Sequence, residues 1–330
     1  MRNKVIITSI FLVLVYFFSN FQNIYSWGFF GHKRINRMAV FTLPPEMITF
    51  YKYHIEYITE NAVNPDKRRY AVEGEAPRHY IDIDVYAPEG ANPFDSMPRK
   101  WYDAVAKYTE DTLQAYGIVP WHIDVMVKRL TQAFKDKDLD RILFLSADLG
   151  HYVGDSHVPL HTTVNYNGHL TNQRGIHAFW ESRVPELNAD DYDYFVGRAK
   201  YIKNPLDYAW ETVEESHWQK DSVLKFEKEL SEEFSPDQKY VFETRGTVTM
   251  KQYSQPFSDA YDKKLNGMVE RKLRKSIIAV GSFWYTAWVD AGQPDLTSLL
   301  NQKVSEKFKE EIEELNKKYE AGKIHGRDHE

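Results

Sequence analysis

Cysteine is absent from the 330-residue chain. Disulfides and thiolate zinc sites are therefore excluded, and any metal must be held by imidazole, carboxylate or backbone groups. Positive charge is in the minority: 42 Lys and Arg face 48 Asp and Glu, for a formal charge of -6. That balance gives no broad cationic face for duplex nucleic acid, though a small local cationic pocket is compatible with it. Long apolar runs are missing as well. The stretch from Val5 to Phe18 is the longest, and it falls short of the roughly 20 residues a membrane span needs. There are no internal repeats, no Walker loop, no dinucleotide fingerprint and no Ser-based elbow, which removes the common nucleotide-fold and serine-hydrolase readings.

What the N-terminus does contain reads as an export signal over residues 1–26. Arg2 and Lys4 precede the apolar stretch, and Ile24-Tyr25-Ser26 ends in a small residue suited to cleavage. Ile24 is larger than the residue usual three before a cut, so an uncleaved anchor is the alternative. Cleavage after Ser26 predicts an exported protein, secreted or periplasmic, with no stable membrane span and with Trp27 as its first residue. The new α-amino group and its own carbonyl would be able to chelate a metal, with His32 close in sequence.

Hydrophobic residues make up 42% of the chain and aromatics 15%, enough for a large core. Helical periodicity is common and strand signals are thin, which predicts a mainly α fold. The divisions expected are a multi-helix domain over 27–298 and a charged, solvated helical arm over 299–330, the latter rich in Lys and Glu.

The most informative stretch is Asp148 to His161, where polar residues interrupt an otherwise greasy helix. Asp148, His151 and Asp155 are offset by three and seven, so at 3.6 residues per turn they form one stripe. A buried carboxylate there needs an ion or a partner. Taken alone, His151 and Asp155 are better explained by pairing with each other and with a buried Arg, and it is the rest of the chain that turns the reading toward a metal. Pro159 ends this helix, and His161 arrives from a different backbone geometry. His177 and Glu181 repeat the i, i+4 spacing on what reads as a short helix stopped by Pro185. Other donors are Asp66 in the charged loop Asn61 to Arg69 and His79 ahead of the alternating segment Tyr80 to Val85, which is expected to be a strand or extended. A second helix is expected over 46–60, and a helical pattern over 99–135 broken at Gly117 to Pro120. His122 and His217 stand outside any ligand-like spacing.

Placed in order, Trp27…His32, Asp66, His79-Tyr80-Ile81-Asp82, His151-x-x-x-Asp155-x-x-x-Pro159-Leu160-His161 and His177-x-x-x-Glu181 resemble the zinc-dependent phospholipases C and S1/P1 nucleases, over residues 27 to about 181. The resemblance implies a mostly helical fold with three zinc ions and a phosphodiester hydrolase. One ion would be held by Asp66, His79, His151 and Asp155, a second by His161, His177 and Glu181, and a third by Trp27 and His32 with Asp155 bridging. It implies that Asp66 orients or deprotonates the attacking water, that Arg69 clamps phosphate oxygens, and that Tyr80 and Asp82 contact the substrate. Glu181 resembles the phospholipase side, which makes a phospholipid headgroup the first expectation. Asp66…Arg69 and His79-Tyr80-Ile81-Asp82 resemble the nuclease side, so single-stranded nucleic acid is the alternative. Val158 stands where Gln is frequent, and the nuclease disulfides are impossible here. A non-catalytic zinc-stabilised envelope module is a third reading, and no protein partner is expected.

Overall fold

The computed structural model describes residues 28–69, 71–245, 248–300 and 302–321. The expected leader and Trp27 lie outside the described residues. In chain order the main elements are α1 (Gly28–Ala39), α2 (Pro45–Tyr53), α3 (Ile55–Glu60), α4 (Asn64–Arg68), α5 (Trp101–Tyr108), α6 (Glu110–Tyr116), α7 (Val119–Asp136) and α8 (Leu139–Ser156). After a helical run over 176–188 come α9 (Pro205–Glu233), the strands β1 (Tyr240–Arg245) and β2 (Val248–Tyr253), α10 (Gln255–Lys264), α11 (Met268–Asp290) and α12 (Glu306–Glu320).

Local chemistry fixes where these helices begin and end. Lys137, left-handed at φ 52°, ends α7, and Asp138 then caps α8 by accepting a hydrogen bond from the Arg141 N–H at 3.1 Å. Pro205 opens α9, with the Asn204 side chain as its cap. Helix α8 is buried on nearly every face, packed by α1, α7 and α11. This is why its sequence is apolar almost throughout and why its few polar groups need specific partners.

The close crossing of α1 and α8 depends on Gly150. A Cβ there would sit 1.9 Å from Asn36 Oδ1, and the Asn36 amide is itself committed to the carbonyl of Ala147 at 3.0 Å. Gly150→Ala is expected to cost about 2–3 kcal/mol through overpacking and loss of that hydrogen bond. Urea unfolding of the variant and the parent measures it, and an unchanged midpoint would show that the helices part without penalty.

Several expectations are corrected here. The helix expected over 46–60 is two, divided at His54. Tyr80 to Val85 forms no strand: 3-10 turns at Ala76–His79 and Ile83–Tyr86 flank a short extended link. Pro120 does not break a helix but sits in the first turn of α7, where its missing N–H costs nothing, and the break lies at Gly117 and Ile118. Pro185 likewise does not stop the 176–188 run, because a π turn at Phe179–Arg183 passes into a further α segment, Val184–Asn188. The hairpin adds an element that the periodicity does not predict. It pairs Tyr240 with Tyr253 and is tied to the 176–188 run by Arg183, whose Nη1 donates to Glu243 at 3.0 Å and whose Nε donates to the Tyr253 carbonyl at 3.1 Å. The terminal arm is helical but not simply solvated. In α12, Phe308 packs edge-on against Phe144, Lys67 donates to Asn316 at 2.8 Å, and Tyr319 is buried near Phe29.

Candidate metal centre

Helix α8 brings His151 and Asp155 to the middle of the molecule, where they are 0% and 2% exposed. Gly154, one turn from Gly150, leaves room for the His32 ring from α1, which stacks on His151 with centroids 3.7 Å apart. Asp66 comes from α4, His79 from the 3-10 turn before Tyr80, and His161 from the turn that follows α8. His177 and Glu181 straddle the entry to the π turn. Such a widened turn inside a helix often marks a functional site.

Two groups of donors result. In the first, His79 Nδ1 lies 3.0 Å from Asp155 Oδ2, 3.1 Å from His151 Nε2 and 3.8 Å from Asp66 Oδ1. His151 Nε2 is 3.2 Å from Asp155 Oδ2 and 3.6 Å from Asp66 Oδ1. In the second, Glu181 Oε2 lies 3.0 Å from His177 Nε2 and 3.4 Å from His161 Nε2, and the two nitrogens are 3.1 Å apart. Asp155 faces both ways. Its Oδ2 meets His79 and His151, while its Oδ1 is 3.4 Å from His32 Nε2 and 3.6 Å from His161 Nδ1. His32 also lies within ligand-sharing reach of Asp66 and His151.

These spacings suit a bound ion. Donors at 2.0–2.1 Å from one tetrahedral Zn²⁺ sit roughly 3.3 Å from one another, close to the separations in both groups. The imidazoles are also set in the right tautomer. His151 Nδ1 is 2.8 Å from the Ala62 carbonyl and His161 Nδ1 is 2.8 Å from the His79 carbonyl. A carbonyl only accepts, so each Nδ1 carries a proton, and each Nε2 turns its lone pair toward the donors once its own proton is displaced. Neither nitrogen of the buried His32 makes a hydrogen bond, a costly arrangement in a protein interior unless something else satisfies the ring.

Electrostatics support the same fit. Burial would lower the pKa of His151, but the carboxylates of Asp155 and Asp66 outweigh it and raise it to about 9. Burial opposes ionisation of Asp155, yet His151 and His161 hold it well below the usual carboxylate range. Glu181 is lowered in the same way against its burial by His177 and His161. His32, dominated by burial and then by the charge of His151, is pushed down. The donors thus form a charge-coupled cage in which protons and a cation compete for the same lone pairs.

Of the residues expected from sequence, His32, Asp66, His79, His151, Asp155, His161, His177 and Glu181 converge, and Trp27 lies outside the described residues. Nearby, the Gly28 N–H donates to Ser182 Oγ at 3.2 Å, which places the start of α1 against the π turn. Arg69 is buried at the end of α4. Tyr80 is 4% exposed, and Gly117 at φ 94° packs so closely that a Cβ would fall 2.2 Å from the Tyr80 carbonyl oxygen and 2.6 Å from its ring. Asp82 is similarly buried, near the Tyr86 phenol, whose pKa rises first through burial and then through the Asp82 charge.

Sequence reasoning missed the polar layer behind the cage. Asp148 is in the α8 stripe yet faces Arg68, which grips it from Nη2 at 2.6 Å and Nη1 at 3.3 Å and also donates to the Tyr152 hydroxyl at 3.1 Å. Tyr152 in turn donates to Glu75. The position of Glu75, four before His79, is the one signal the chain offers for it. His122 packs its ring edge-on to Tyr152 at 4.5 Å, and His217 Nδ1 lies 3.1 Å from the Thr162 carbonyl, so both support the site without entering it.

Among curated proteins none matches the chain. A family model described as S1/P1 nuclease does, over residues 27–280, a span that covers most of the sequence and encloses every donor of both groups. That family is metal-dependent, and both donor groups could hold metal ions. The chain therefore belongs to the S1/P1 nuclease family and is a phosphodiester hydrolase.

Proposed function

We propose that the protein is a zinc-dependent hydrolase of single-stranded nucleic acid, exported and cleaved after Ser26. Asp66, His79, His151 and Asp155 hold one ion, and His161, His177 and Glu181 hold a second. His32 and the freed amine and carbonyl of Trp27 hold a third, with Asp155 shared. The observation that carries this reading is Asp155, whose two oxygens face different imidazoles and so suit a carboxylate bridging neighbouring ions. Zinc is the metal that best suits a set made only of imidazole and carboxylate at near-tetrahedral spacing.

Bound zinc supplies Lewis-acid polarisation of the phosphate and acidifies coordinated water. The chain's own groups do the rest. Asp66 accepts the proton of the attacking water, at the edge of a cage otherwise closed to solvent. Arg69 binds the non-bridging phosphate oxygens through its planar donor fork. His151 and His161, locked by backbone carbonyls, keep their lone pairs aimed without reorganisation.

The family description supports nucleic acid over the phospholipid headgroup that Glu181 suggested. The absence of a broad cationic face in the composition favours single strands over duplex. No helix among the described residues is long and apolar enough to cross a membrane. The deciding experiment assays the zinc-loaded protein on single-stranded DNA, RNA and phosphatidylcholine in parallel, each with a chelator control. Chelator-sensitive cleavage of the nucleic acids is expected to exceed headgroup release by at least tenfold. The reverse ranking would return the site to phospholipid.

A further inference from the structure

His151 and His161 each direct the far ring nitrogen to a backbone carbonyl, but His79 is held differently. Its Nδ1 enters the cage, and its buried Nε2 has no hydrogen bond and faces Glu75 Oε1 at 3.8 Å. Glu75 is 0% exposed. A carboxylate so deeply buried is costly unless charge and hydrogen bonds surround it. Here they do: Arg78 Nη1 donates to Oε2 at 2.6 Å, Arg68 Nη2 lies 3.4 Å from Oε1, and the Tyr152 hydroxyl donates to the same oxygen. Asp148 balances the Arg68 charge, its Oδ2 lying 2.6 Å from the same Nη2. Two carboxylates therefore face two guanidinium groups within the layer.

We propose that Glu75 is the positioning residue for His79, accepting the Nε2–H of the neutral ring so that the Nδ1 lone pair points at the metal. Closing 3.8 Å to hydrogen-bond distance takes a shift of under about 1 Å. A carboxylate on the far N–H makes the ring a better electron donor than a carbonyl does, and it fixes both tautomer and orientation. The Arg68, Arg78 and Tyr152 donors hold Glu75 itself in place, so Glu75 acts through His79 and never touches substrate. The proposal rests on the zinc reading of the cage.

The experiment titrates zinc into the stripped wild-type, Glu75→Gln and Asp148→Asn proteins against a chromophoric chelator, with circular dichroism as the folding control. Glu75→Gln keeps the shape and an acceptor but removes the charge, and is expected to weaken the zinc site that includes His79 by roughly 10–100-fold with the fold retained. Asp148→Asn removes a partner of Arg68 and leaves the Glu75 carboxylate itself unchanged. It is expected to lower the melting temperature while leaving zinc affinity within threefold. Equal affinity of wild type and Glu75→Gln, or equal losses in the two variants, would reduce Glu75 to one charge in a structural network. A wild type that binds no zinc would overturn the functional reading and this proposal together. If Glu75→Gln does not fold, a crystal structure of the zinc-loaded wild type decides. Nε2 within about 3.2 Å of a Glu75 oxygen supports the proposal, and a water between them overturns it.

Discussion

Asp66→Asn is expected to lower phosphodiester turnover by roughly 10²–10⁴-fold, the range typical for losing a positioned general base. In energetic terms that is about 3–5 kcal/mol of the barrier. The substitution keeps the size of the side chain and takes away its charge. Asp66 Oδ1 stands 3.6 Å from His151 Nε2 and 3.8 Å from His79 Nδ1, longer than the Asp155 distances on the same nitrogens. The looser position suits a group that serves both a metal and a water. Helix α4 is only five residues long, so the far-UV signal is expected to survive. Zinc content of the variant separates the two contributions: one ion lost with activity identifies a ligand, and full zinc with no activity identifies the proton acceptor. Turnover within threefold of wild type would remove Asp66 from the reaction.

Stripping the metal is expected to produce the largest change in stability. A ligand at a thousand times its dissociation constant adds about 4 kcal/mol per site, and for a chain this large each kcal/mol moves the melting temperature by roughly 2–4 °C. Loss of even one ion should thus lower it by on the order of 10 °C. The size of the drop should depend on pH. Without metal, His151 is a base whose folded pKa, about 9, exceeds the ordinary histidine value of 6.5, against its burial and because of Asp155 and Asp66. Its contribution to the metal-free fold is complete below the unfolded pKa and is lost as pH rises through about 9. Metal binding must displace the same proton, so zinc is held more tightly over that rise. The gap in melting temperature between loaded and stripped protein should therefore widen from about pH 7 to about pH 9. At more acid pH, His32 complicates the comparison, since its lowered pKa makes protonation unfavourable in the fold. Groups outside the cage, such as the buried Lys272 with its pKa lowered to about 8, act in both forms and cancel. Differential scanning calorimetry with and without a chelator tests this. A gap that is flat or narrows with pH would mean that His151 is not displaced from its proton by the metal.

Much of this site is legible in the chain itself. The i, i+4 pairs His151/Asp155 and His177/Glu181 follow from helical pitch, a local property that neighbouring residues determine. The mainly helical fold is readable for the same reason. The hairpin is not, because β1 and β2 gain their stability by pairing and by Arg183 anchoring them from 60 residues away. Tyr80 shows the limit from the other side. Its type and place in the motif suggest a stacking surface, but how far the residue is exposed, 4% here, is set by packing with segments remote in sequence, Gly117 among them.

The sequence by itself determined the chemistry of the cage: without cysteine only imidazole and oxygen donors remain, and helical spacing sets which of them share a face. Tertiary structure decided the rest. Asp148 and Asp155 are both α8 carboxylates, yet one turns to Arg68 and the other splits its oxygens between two sets of histidines. Which partner a buried charge finds depends on the element packed across from it, here α4 on one side and α1 on the other. Spacing along one stretch of chain cannot specify that choice, because the energy that settles it comes from desolvating each carboxylate against a neighbour far away in sequence.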